Sequence, residues 1–96
     1  MTHEAAQDAL AACRERIDDV DRRILALLNE RTEIVGVIGR IKASAALPIY
    51  EPRREDEVFR NVSENNGGPL SNEAAKRIFE RIIDEMRKIQ KERMGK

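Results

Sequence analysis

The sequence predicts an all-α fold of three helices with a very long first helix, assembled as an intertwined helical homodimer. Three observations carry this. Apolar residues recur at helical spacing for most of the chain. Aromatic residues are confined to Tyr50, Phe59 and Phe79, so bulk must come from aliphatic side chains suited to packed helices. The first stripe is also longer than one small domain can cover by itself.

That stripe consists of Leu10, Cys13, Ile17, Val20, Ile24 and Leu27, then Ile34, Ile38 and Ile41. Steps alternating between three and four residues mark one face of a helix. No proline interrupts it before Pro48, and the pattern runs past Gly36 and Gly39 despite their low propensity. The spacing predicts one helix from about Gln7 to about Ala43, with residues 1–8 as a loose N-terminal tail. Such a helix is roughly 55 Å long at 1.5 Å per residue. A domain of this size has a radius of gyration of only about 12 to 13 Å. Two shorter helices cannot cover the stripe, so a second copy of the chain is the simplest partner.

Ser44 to Tyr50 lose the period and include Pro48, which predicts a loop. Glu51-Pro52 reads as a helix start, because proline is tolerated at the first helical position. Glu55, Asp56 and Glu57 suit the positive end of the helix dipole. Val58, Phe59 and Val62 give this short helix an apolar side, and Asn65-Asn66-Gly67-Gly68-Pro69 stops it. Ser71 is a good N-cap for a third helix that turns Ala75, Ile78, Phe79, Ile82, Ile83, Met86 and Ile89 inward. The basic residues from Arg87 to Lys96 match the negative end of its dipole. The whole chain, residues 1–96, reads as one domain.

Composition narrows the function. Eighteen cationic and eighteen anionic residues give a net charge of zero, which leaves no electrostatic footprint for a nucleic acid. Cys13 and His3 are single, so neither an internal disulfide nor a Cys-rich zinc site is available. The segment Met1–Ala9 lacks a signal-peptide pattern and no stretch approaches membrane-spanning length, which predicts a cytoplasmic protein without a membrane partner. Gly67-Gly68 lacks the lysine and spacing of a phosphate-binding loop.

Polar residues interrupt the apolar faces. Arg31 takes the inward position after Leu27, where a charge must be paired or must hold an anion. An internal ion pair or a register device explains it equally well. Lys42 lies three turns further on nearly the same face, although a solvated lysine near a helix end is the commoner case. Arg14 borders the stripe about 25 Å from Arg31, too far to share a small ligand within one chain. In an antiparallel dimer Arg14 of one copy could lie near Arg31 of the other. On helix two, Glu51, Arg54 and Glu55 fall on the inward side and Arg53 points away, while a solvated charged face is the plain alternative for Arg53–Glu57. Gln90 continues the seam of Phe79, Ile83 and Met86. Together these cations, carboxylates and one amide describe a pocket for a compact dianion bearing a hydroxyl, gripped by guanidinium groups. No histidine base or Cys/His pair faces inward, so an enzyme built this way works by shape and electrostatics.

Arg14-Glu15-Arg16-Ile17-Asp18 with Asp21, then Leu27-Leu28-Asn29-Glu30-Arg31, resembles the opening helix of the all-helical chorismate mutases. Gly39-Arg40-Ile41-Lys42, Pro48, Glu51 and Arg54-Glu55 are similar to the next segment of that family, and Ile78-Phe79, Ile82-Ile83 and Gln90 to its last helix. The resemblance runs from about Leu10 to Gln90. It implies an isomerase of the shikimate pathway that converts chorismate to prephenate without a cofactor or metal, on the route to phenylalanine and tyrosine. It further implies that Arg14, from the partner chain, and Arg31 hold the substrate carboxylates. Lys42 and Gln90 would donate to the ether oxygen, Glu51 and Glu55 would bind the ring hydroxyl, and Arg54 would complete the cationic lining. Met86 departs from the small or hydroxylated residue that many relatives carry there. An isochorismate–pyruvate lyase shares the fold, but such relatives generally lack the Arg54-Glu55 pair. A non-catalytic helical dimer acting as scaffold or regulatory subunit would explain the stripe but not the inward Arg31, Lys42 and Gln90. An activating synthase partner is a further expectation.

Overall fold

The computed structural model describes residues 1–94. Three helices follow in order: α1 over His3–Ser44, α2 over Pro52–Asn65 and α3 over Asn72–Met94. The last residue of the basic run expected at the end of α3, Lys96, lies outside the described residues. The fold is all-helical, with no strand among the described residues. No described helix is long and apolar enough to cross a membrane.

α1 begins earlier than its apolar period suggests. The Thr2 hydroxyl accepts a hydrogen bond from the Ala5 amide at 3.0 Å, and the Thr2 carbonyl accepts from Ala6 at 2.9 Å. Thr2 is therefore an N-cap. The segment 1–8, expected as a loose tail, is helical from His3 onward; the cap and the absence of any helix breaker outweigh the missing apolar stripe. At the other end the Leu47 amide donates to the Lys42 carbonyl at 2.8 Å and the Ala46 amide to Ala43 at 3.4 Å. This is a Schellman arrangement with Ala46, at φ 55°, in the left-handed position that glycine usually fills.

Pro52 opens α2 directly after Glu51, as its fixed φ and missing amide hydrogen favour. The stop after Asn65 is organised by Asn66. Its Nδ2 donates to the Leu70 carbonyl at 2.8 Å and to Asn72 Oδ1 at 2.7 Å, while its Oδ1 accepts from the Gly68 amide at 3.0 Å. Gly68, ahead of a cis Pro69, sits at φ 72°, where any side chain would be strained. Ser71 caps α3 as expected, its Oγ accepting from the Ala74 amide at 3.1 Å.

The chain divides into two compact units, Met1–Glu33 and Ile34–Lys96. The first is a single stretch of α1 in which no residue is buried; Leu28, Arg31 and Thr32 are half-buried. Its stripe residues Leu10, Ile17, Val20, Ile24 and Leu27 are all exposed. The second unit holds the rest of α1 with α2 and α3, around a small core of Val35, Ala75, Ile83 and Met86. Val58, Phe59 and Val62 of α2 are half-buried, as are Phe79, Ile82 and Ile89 of α3. Ile78, expected to point inward, is exposed in the single chain, because the seam of α3 is centred on Ile83 and Met86 and Ile78 falls at its edge.

Candidate active site

The second unit buries two polar side chains beside its apolar core, Lys42 and Gln90, each 8% exposed. Both stand at positions that interrupt the apolar pattern of the sequence. α1 places Lys42 in its last turn, where the reversal of the chain brings the following segment back over it. The Lys42 ammonium donates to the Ile49 carbonyl at 3.0 Å and pairs with Glu51 Oε1 at 2.6 Å. The loop carbonyl and the carboxylate at the start of α2 thus aim the ammonium from two sides, leaving one N–H free to donate to another acceptor. Glu51 remains half in solvent. That partial exposure keeps the pair away from the large desolvation penalty of a fully buried one.

One turn further along α2, Glu55 faces α3. Its Oε2 accepts from Arg87 Nη2 at 2.6 Å, and both side chains are about three-quarters covered. Arg87 also approaches Asp84 at 3.5 Å and lies with its guanidinium carbon 5.1 Å from the centre of the Tyr50 ring, within cation–π range. The hydrogen bond that Arg87 donates to Glu55, supported by the charges of Glu55 and Asp84, raises the Arg87 pKa above the ordinary arginine value against the opposing effect of burial. Arg87 and Tyr50 are not among the residues expected in the site. The sequence pattern gives Arg87 to the helix dipole, yet it lies about 40° around α3 from Ile83 at 100° per residue. Like Arg31, it is a cation beside an apolar seam, and that is the signal that could have found it.

Gln90 projects from α3 toward α1, its Nε2 3.5 Å from the Val35 carbonyl. That contact is at the long limit of a hydrogen bond, so the amide is lightly held and can turn to a better acceptor. A cavity of about 330 Å³ runs beside it, walled by Val35, Gly36, Gly39, Ala43 and Ile89, with Arg40 and Arg93 among its lining residues. Lys42 is not among the residues that line this cavity, although Val35, whose carbonyl faces Gln90, lies only about 20° around α1 from it at 100° per residue.

The remaining expected residues divide clearly. Arg54, expected to face inward with Glu51 and Glu55, is exposed and pairs with Glu57 at 3.0 Å, one turn along its own helix. A local i,i+3 partner holds it on the surface. Arg14 and Arg31 both lie on the first unit's stretch of α1, Arg14 exposed and Arg31 half-buried. Among the described residues no group of His, Cys, Asp and Glu is arranged to hold a metal.

Comparison with known proteins fits this arrangement. The family model for chorismate mutase type II matches residues 13–91. This chain belongs to the chorismate mutase type II family. The chorismate mutase of Methanocaldococcus jannaschii is 30% identical over 94 residues, covering 88% of this chain and 87% of that protein. The bifunctional chorismate mutase/prephenate dehydratase of Neisseria gonorrhoeae is 37% identical over 82 residues, covering 85% of this chain but 22% of that protein. The chain therefore spans about a fifth of the length of such two-activity relatives. Among solved structures, the Form II chorismate mutase of Thermus thermophilus superposes with a TM-score of 0.84 at 34% identity, covering 86% of this chain and 94% of the other. The span matched by the family model takes in all seven expected site residues, from Arg14 to Gln90.

Proposed function

We propose that this chain is a chorismate mutase, an isomerase that rearranges chorismate to prephenate by holding the reactive conformer and stabilising the charge that develops, with no cofactor. The observation that carries this reading is the burial of two hydrogen-bond donors, the Lys42 ammonium and the Gln90 amide, beside an α2 face bearing the carboxylates Glu51 and Glu55. In the rearrangement the ether C–O bond breaks as a new C–C bond forms within the same molecule. No nucleophile is required, and negative charge accumulates on the ether oxygen. A preorganised ammonium held by Glu51 and the Ile49 carbonyl needs little reorganisation to meet that charge, and this is the source of catalysis in such a site. Gln90, lightly held on the Val35 carbonyl, supplies the second donor. Glu51 and Glu55 accept the ring hydroxyl.

Arg31 and the partner copy's Arg14 hold the two substrate carboxylates in this reading, through the bidentate geometry that guanidinium and carboxylate share. Arg54 lines the site only if it exchanges Glu57 for the substrate. The second copy follows from physical need: a lone helix with no buried residue and a row of exposed Ile, Leu and Val is marginal in water, and a copy of itself covers that row. A cytoplasmic location and activation by a synthase partner belong to the same reading.

The test is the loss of chorismate absorbance with purified protein, with the product identified by acid conversion to phenylpyruvate. Saturable conversion to prephenate is the expected result. A folded dimer inert toward chorismate overturns the reading, and release of pyruvate from isochorismate would replace it with a lyase on the same fold.

A further inference from the structure

We infer that Arg87 is a positioning residue for the reaction: its salt bridge fixes the carboxylate of Glu55 in the orientation that accepts the substrate's ring hydroxyl. The inference rests on the chorismate mutase reading and deepens it. A glutamate on a helix surface has three side-chain torsions and loses much rotamer freedom when held to one pose. Glu51 is held to one pose by Lys42. Glu55, one turn along the same face, is held at 2.6 Å by Arg87. The carboxylates of Glu51, just ahead of α2, and Glu55, in its first turn, are thus held by cations from two different helices.

Arg87 is in turn fixed from three directions: Glu55 at one nitrogen, Asp84 at the other, and the Tyr50 ring under its plane. Tyr50 directly precedes Glu51, so the loop that orients Glu51 also supports the arginine that orients Glu55. The bond to Arg87 uses Oε2. A carboxylate has about four lone-pair sites, and the second oxygen keeps its capacity to accept from a hydroxyl. A carboxylate accepts a hydrogen bond from a hydroxyl more strongly than a neutral acceptor does. Arg87 itself needs no contact with the substrate.

The experiment compares wild type, Arg87→Gln, Arg87→Lys, Glu55→Gln and the double variant Arg87→Gln/Glu55→Gln in steady-state chorismate turnover, with thermal unfolding and sedimentation to confirm folded dimers. Arg87→Gln is expected to lower kcat/KM about tenfold, mainly through KM, and Arg87→Lys to recover most of that loss although it restores little of the cation–π packing. The double variant should be no worse than Glu55→Gln by more than about twofold, because both changes remove the same interaction. A purely structural arginine would lower the unfolding temperature of Arg87→Gln and leave KM in place. Wild-type KM in folded Arg87→Gln, or losses that multiply in the double variant, overturn the inference while leaving the mutase reading intact. Should Arg87→Gln not fold, Arg87→Met is read in its place: a raised KM in the folded protein supports the role and a wild-type KM excludes it. A wild-type chain without turnover overturns the mutase reading and this inference together.

Discussion

Lys42 and Glu51 meet at 2.6 Å, across the turn that joins α1 to α2, with the lysine side chain almost wholly covered and the glutamate half in solvent. The asymmetry matters. Water still solvates Glu51, so the pair is worth at most about 1 kcal/mol to stability by comparison with exposed pairs. Its contribution lies in holding an ammonium where one side is protein and the remaining donor is free.

Replacing Lys42 by Met should therefore separate activity from stability. Met keeps most of the buried aliphatic length, and Glu51 can return to water, so the unfolding free energy should change by no more than about 1 to 1.5 kcal/mol. Loss of one preorganised donor to developing negative charge costs about 10² to 10³ in kcat. Arg31→Ala should likewise remove most turnover while leaving a folded dimer, chiefly through weaker grip on a carboxylate. Steady-state kinetics beside thermal melts checks both; near-normal turnover in both variants would defeat the assignment of the site.

The stops and starts of the fold are written in single residues. Pro52, the Asn65–Pro69 run and Ser71 each admit one local structure, and each does what its chemistry requires. The start of α1 is hidden because Thr2 to Asp8 carry no apolar period, and one threonine hydroxyl is a weak sign amid polar residues. Among the candidate site residues, Gln90 is legible because it continues an apolar seam as an amide, whereas Lys42 reads from sequence as readily as a solvated lysine near a helix end. Arg87 is hidden by having two sufficient explanations, of which the helix dipole is the nearer. Arg54 shows the limit of a helical wheel: the angle is right, but Glu57 three residues on offers a partner that the wheel does not weigh.

The exposed row on α1 leads to a sharper expectation. Ile24 is 48% exposed in the single chain, and a second copy packed on this row would bury it twice by symmetry. Ile24→Asp would place two carboxylates in that apolar seam at a cost of several kcal/mol. Sedimentation should show monomer at concentrations where, on the proposed reading, the wild type pairs as a dimer. Turnover should vanish with it, because in the proposed site Arg14 comes from the partner copy. A fully active, dimeric Ile24→Asp protein would require a different covering for the stripe.

Capping offers a test of the local physics independent of catalysis. Ser71 Oγ satisfies one of the amides left unpaired at the start of α3, and Ser71→Ala should lower stability by about 1 kcal/mol. A urea titration that places the two proteins at the same midpoint would show that water replaces the hydroxyl without loss.

The end of α1 predicts the opposite sign. Ala46 holds φ 55°, where an L-residue with a Cβ is disfavoured by about 1 to 2 kcal/mol. Glycine removes that strain but adds about 0.4 to 1 kcal/mol of unfolded-chain entropy. Ala46→Gly should then stabilise the protein by about 0.5 to 1 kcal/mol, read as a higher urea midpoint at unchanged slope. The gain should come without loss of turnover, since the Leu47 amide stays on the Lys42 carbonyl and the lysine keeps its aim. A lower midpoint would mean that the turn after α1 is left-handed for a reason other than the helix stop. A fall in kcat at a raised midpoint would mean instead that stiffness of this turn, and not the Glu51 pair alone, holds Lys42 in place.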